Sequence, residues 1–176
     1  DSIGAGNTAI GAAAMQEHLR GNNNTALGYF SLNRDTTSSN NTSIGYQAMA
    51  LHTAGGNNVA VGTNALSGDG NKGDNVAIGV SALALDSNGF SNVAVGNQAL
   101  FSNYRNNFNT AIGYQSLYNT AAITTNGQGF QNTAVGTFSG YNNTSGNHNN
   151  FFGSGSGLNF RQGSNNNFIG NSTANN

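Results

Sequence analysis

A glycine preceded four residues earlier by an asparagine recurs ten times in this chain, and its spacing constrains the fold more than any other feature. The glycines are Gly11, Gly28, Gly45, Gly62, Gly79, Gly96, Gly113, Gly136, Gly153 and Gly170. Eight of the nine intervals are 17 residues, and the ninth, Gly113 to Gly136, is 23. A fixed period of this size marks a solenoid, in which each repeat is one coil that buries its apolar face by stacking on its neighbours. The spacing predicts a mainly β fold: a parallel β-solenoid, or β-roll, of about ten 17-residue coils forming a single domain over 1–176. Residues 1–5 read as a partial repeat out of phase with the rest, 6–137 as a first repeat subtype with an insertion within 118–130, and 138–176 as a second subtype.

Each position relative to the glycine becomes a column along the stack. Four before it stand Asn7, Asn24, Asn41, Asn58, Asn75, Asn92, Asn109, Asn132, Asn149 and Asn166. Stacked at about 4.8 Å, such amides can hydrogen-bond from coil to coil as a structural ladder, and asparagine tolerates a tight corner. Next come Thr or Val, a small residue, then Ile, Leu or Val, as in Val76-Ala77-Ile78. This predicts a four-residue strand with alternating faces. One face is expected to line the coil's own core. The other, carrying Ala, is expected to be covered by the coil or by a neighbouring chain. Past the glycine, Ala or Ser precedes Leu or Met, as in Ala82-Leu83. Good helix formers there favour a short helical turn on the return segment over an outer strand. In the last three coils Gly140, Gly157 and Ala174 replace the Leu/Met column, while in the last two Phe151 and Phe168 replace the small strand residue. A close-packed core of constant volume requires that exchange, and Phe151 is expected to fill the space left at coil eight.

Charged residues make up 6% of the chain, with a formal net charge of -1, so nucleic acid is not an expected partner. Cysteine and proline are absent, which excludes thiolate metal sites and suits unbroken ladders. No apolar run approaches the roughly 20 residues of a membrane span, and no membrane insertion is expected. The asparagine- and glycine-rich composition alone would suggest disorder, but the strict period argues against that.

Two columns bear on chemistry. Seven past the glycine lie His18, Asp35, His52, Asp69 and Asp86. Stacked, they could bind a metal, but a turn position favouring residues that bond to nearby backbone explains them better. No metal, cofactor or catalytic residue is assigned, and the chain is not expected to be an enzyme. Its only acids that stack as a pair, Asp69 and Asp86, would sit on a convex edge poorly suited to excluding water. Aromatic residues stand five past the glycine (Phe101, Tyr118, Tyr141) and one past it (Tyr29, Tyr46, Tyr114). Aligned rings beside amides suit carbohydrate or another protein, and they could equally cover the coil's own edge. The insertion is a second candidate binding feature.

The recurring Asn-Thr/Val-Ala-Ile/Val-Gly core resembles the head repeats of trimeric autotransporter adhesins. The longer form Asn109-Thr110-Ala111-Ile112-Gly113-Tyr114-Gln115-Ser116-Leu117 is similar to repeats of phage tail fibres and bacterial surface fibres. The resemblance implies a parallel β-roll that trimerises and is displayed extracellularly, on a cell or virion surface. The 17-residue period is longer than that family's usual one. The expected function is a non-enzymatic structural or adhesive module of a surface fibre. The alternatives are a glycan- or receptor-binding domain of a phage tail fibre, and an ice-binding solenoid. Val59, Val76 and Val93 interrupt the threonine column and argue against the last. The chain begins and ends inside the repeat pattern, as a piece of a longer protein would. With little room to cover its end coils and few charges to repel a second copy, it is expected to self-associate, side by side through the Ala face or head to tail.

Overall fold

A computed structural model describes residues 4–68, 70–120 and 129–174. The strands in chain order are β1 (Thr8–Ile10), β2 (Thr25–Leu27), β3 (Thr42–Ile44), β4 (His52–Ala54), β5 (Val59–Val61), β6 (Gly70–Asn71), β7 (Val76–Ile78), β8 (Val93–Val95), β9 (Thr110–Ile112), β10 (Thr133–Val135), β11 (Asn150–Phe152) and β12 (Asn167–Ile169). Ten of them form one parallel sheet in the order β1-β2-β3-β5-β7-β8-β9-β10-β11-β12. The fold is the parallel β-solenoid that the period predicts. Register is kept coil to coil: Val76 faces Val93, Ala77 faces Ala94 and Ile78 faces Val95. It survives the 23-residue interval, since Thr110 faces Thr133 and Ala111 faces Ala134. The extra residues therefore leave the sheet undisturbed. Most of the insertion, 121–128, lies outside the described residues. At the start of the chain, Ala5 accepts from Asn23 N at 2.9 Å and donates to Asn22 Oδ1 at 2.8 Å, one coil on.

Each strand of the ten-stranded sheet is three residues long and stops at its glycine, one residue shorter than expected. The glycines have φ between 119° and 138°, a region closed to side-chain-bearing residues. A Cβ on Gly113 would also lie 2.5 Å from the Gly136 carbonyl oxygen. Close stacking and backbone conformation thus both require glycine at this corner.

Among the described residues there is no helix, and the expected helical turn is corrected to a pair of tight turns. In each coil the residues two and four past the glycine have positive φ, for example Ser81 at 55° and Leu83 at 51°. A right-handed helix cannot continue through alternating left-handed residues. One turn closes from Ala82 N to Gly79 O at 3.3 Å, and the next from Asp86 N to Leu83 O at 3.2 Å. Between them the backbone bonds outward to both neighbouring coils, Leu83 N to Ala99 O at 3.0 Å and Ser81 N to Thr63 O at 2.8 Å. A left-handed leucine costs roughly 1–2 kcal/mol, and complete burial of its side chain returns about 1.5–3 kcal/mol. Burial wins, and Leu83 is fully inaccessible.

The core is narrow. It consists of the small strand residue (Ala60, Ala77, Ala94), the Ala/Ser column (Ala65, Ala82, Ala99) and the Leu/Met column from Leu32 to Leu117, all buried, with Ala14 and Met15 of the first coil partly buried against them. This corrects the expected facing of the strand. Ala points inward, while the flanking Thr/Val and Ile/Leu/Val residues point outward and remain partly exposed. A 17-residue coil brings the sheet so close to the returning leucine that only a methyl group fits between them. Where Ser43 replaces Ala, its hydroxyl accepts from Ser31 Oγ at 2.7 Å, so the polar substitution is satisfied.

Candidate functional site

The outward strand residues build a continuous surface feature along the sheet. Ile10, Leu27, Ile78, Ile112, Phe152 and Ile169 are each at least 40% exposed, and Ile44, Val61, Val95 and Val135 are half-buried in the same column. Ten strands at about 4.8 Å spacing give a stripe roughly 43 Å long. Two residues before each lies the Thr/Val column. It is threonine at both ends of the first repeat subtype and valine at Val59, Val76 and Val93 in the middle. The face is therefore most apolar at its centre and hydroxylated towards its flanks, the arrangement of a protein interface with an apolar core and polar rim. A monomer rarely leaves a contiguous apolar stripe of this extent to water.

The asparagine column forms the predicted ladder, with more connections than amide-to-amide bonds alone. Asn75 Oδ1 accepts from the main-chain N–H of Asn92 at 2.9 Å and from its Nδ2 at 3.2 Å, while Asn75 Nδ2 donates to Gly89 O at 2.9 Å. The side-chain carbonyl to main-chain link repeats at 2.9–3.0 Å from Asn7–Asn24 through Asn149–Asn166. From Asn24 to Asn149 the amides are fully buried. This is a scaffold element.

The aromatic columns also come together. Phe101, Tyr118 and Tyr141 stack at 5.0 and 5.1 Å, with ring planes 7° and 9° apart. Desolvation in this stack raises the Tyr118 phenol above its ordinary pKa, helped by Tyr141 and Tyr114. Tyr29 and Tyr46 stack at 5.5 Å and stay 47% and 49% exposed. Tyr114 instead meets Phe138 edge-on at 5.3 Å.

The column seven past the glycine turns inward. Asp35, His52 and Asp86 are fully buried, which corrects the convex, solvated edge expected for Asp86. Asp69 lies outside the described residues. The column's local bonding is that of a turn position. Asp35 Oδ1 accepts from Ser38 N at 3.0 Å, Asp86 Oδ1 accepts from Gly89 N at 2.8 Å, and a His52 ring nitrogen bonds Gly55 O at 2.9 Å. His18 Nδ1 lies 3.6 Å from Asp35 Oδ2. Lys72, which is also fully buried, donates to the Leu66 and Gly68 carbonyls. Burial pushes the Asp86 carboxyl up to about 7, against the opposing pull of Lys72 and the Gly89 and Asn88 N–H groups. Burial likewise lowers His52, with Gly55 O and Asp35 opposing and Lys72 adding to the effect. Among the described residues no group of three or more His, Cys, Asp or Glu is placed to hold a metal ion.

Sequence reasoning missed one surface feature beside the insertion. Arg105, Asn106, Asn107, Phe108, Phe130 and Gln131 line an open hollow of about 200 Å³. The available signal was a corner column that is otherwise small and polar, with phenylalanine at Phe90 and Phe130.

Among the described residues no helix is long and apolar enough to cross a membrane. Comparison with protein-family models, with curated proteins and with solved structures finds no match.

Proposed function

We propose that this chain is a non-enzymatic structural module of an extracellular surface fibre, and that it self-associates through the outer face of its ten-stranded sheet. The supporting observation is that face itself, apolar at Val59, Val76 and Val93 and at the neighbouring Val61, Ile78 and Val95. Of the two covers open to the Ala face, the coil itself or a neighbouring chain, the coil provides it from Ala26 to Ala134. Side-by-side packing of copies would bury the β-branched columns instead. Three copies around a shared axis is the stoichiometry implied by the resemblance to adhesin head repeats. The valine interruptions that favour an interface also break the regular hydroxyl array an ice-binding surface would use.

Sedimentation equilibrium of the chain tests this reading. The expected result is a discrete multiple of the 18.0 kDa chain mass at micromolar concentration. Ile78→Lys, which places a charge on the exposed face, should shift the distribution to monomer. A wild-type chain that stays monomeric at high micromolar concentration would refute the proposal.

A further inference from the structure

Six residues before the glycine, the solenoid corner carries Asn or Ser in five of the ten coils and Ala, Gly or Phe in the others. Asn22 Oδ1, Ser39 Oγ and Asn107 Oδ1 each accept a main-chain N–H from the neighbouring coil, at 2.8–2.9 Å. A phenyl ring can make no such bond; Phe90 and Phe130 occupy this column and Phe108 the next one, and Phe108 and Phe130 line the same hollow. Phe108 is 57% exposed. The rings flank the hollow with the exposed Arg105 and Gln131. The Asn107 carbonyl oxygen is held by Phe90 N, which leaves its NH₂ as a donor. Among the described residues no acid lines the hollow, and Arg105 takes part in neither ion pair found there.

We propose that this hollow binds a terminal acidic monosaccharide of a glycan, a uronic or sialic acid residue. A pyranose presents an apolar C–H face and a hydroxylated rim. Phe108 and Phe130 supply ring surface for the first, and the Asn107 and Gln131 amides serve the second. The Arg105 guanidinium matches a carboxylate in a two-bond fork. At about 200 Å³ the hollow is smaller than the roughly 300–1,000 Å³ of sites that enclose a drug-sized ligand. It therefore suits one ring at a chain end. The proposal deepens the surface-fibre reading but does not depend on self-association.

Saturation-transfer NMR on the full chain tests it, with glucuronic acid, N-acetylneuraminic acid and glucose as probes. Transfer is expected to at least one acid and more weakly to glucose. Arg105→Gln should weaken acid binding about tenfold, the scale of a charged hydrogen bond, and glucose binding by much less. Phe108→Ser should weaken all three. Added salt should weaken only the acids, a readout that needs no variant. Absence of transfer to both acids, or acid binding indifferent to Arg105→Gln and to salt, would overturn the proposal. Sedimentation of the same samples separates the two readings: a monomer that binds acid sugars refutes the interface and leaves the site standing.

Discussion

Phe151 shows how a single residue is accommodated by its neighbours in the stack. Its ring is fully buried and stacks on Phe168 at 5.2 Å. A Cβ on Gly140 would come within 2.8 Å of it, and one on Gly157 closer still. The phenylalanine thus uses space released by two leucine positions, its own coil's and the preceding coil's. Leucines adopt the same left-handed backbone in earlier coils, at φ 48° to 51°, so Gly157→Ala should lose stability by crowding. We expect crowding to cost about 1–3 kcal/mol beyond the roughly 1–2 kcal/mol of a left-handed backbone, and the crowding part alone to be relieved in a Phe151→Ala background. Denaturant melts of the four proteins of this cycle would expose an additive pair, which the account does not allow. Asn75 has the opposite vulnerability. Asn75→Ala leaves Gly89 O and the Asn92 N–H without their partner, at roughly 1–3 kcal/mol for each buried group. Asn97→Ala, at an exposed position, should change stability by no more than about 0.5 kcal/mol. Equal denaturation midpoints for the two would remove the ladder from the account. Both the ladder and the Phe/Gly exchange were legible in the sequence, because each leaves a residue type in phase with the period.

At the scale of an element, periodicity was less informative. Alternation in Val76-Ala77-Ile78 establishes which residues share a face but not which face is inside. That is decided by coil closure, which admits only Ala against Leu83. The return segment departs from the helical expectation for a related reason. Ala, Leu and Gln favour helix, and no residue type signals that Gln98 and Leu100 have φ of 55° and 50°. The interior charged column carries a consequence for pH. Between about pH 4 and 7 the folded chain holds a proton on Asp86 that the unfolded chain has released. Stability from this group therefore falls as pH rises through that window and levels off above it. His52 acts in the other direction. Its lowered pKa means that the unfolded chain binds a proton first, so its contribution falls as pH drops below about 6.5. Asp86→Asn separates the two, and an amide fits the column, since Asn103 in the next coil donates to Asn106 O at 3.0 Å. Thermal melts from pH 4 to 8 should show the variant gaining on the wild type as pH rises. A difference that does not change with pH would contradict the buried, protonated state of Asp86.

For the whole molecule, coil stacking converts a local residue preference into a long surface. One outward Val or Ile per coil is unremarkable alone, but register keeps ten of these positions in line, and the sheet presents them as one stripe. The central claim is that this stripe is covered by other copies of the chain. Because the chain has no cysteine, single spin labels can be placed without removing any native residue's thiol. The most direct measurement is intermolecular dipolar broadening for a label at Val76→Cys, on the sheet face, compared with one at exposed Asn97→Cys. The account predicts strong broadening at Val76→Cys, lost on dilution with unlabelled chain, and little at Asn97→Cys. A mobile, unbroadened label at Val76→Cys in undiluted protein would contradict it.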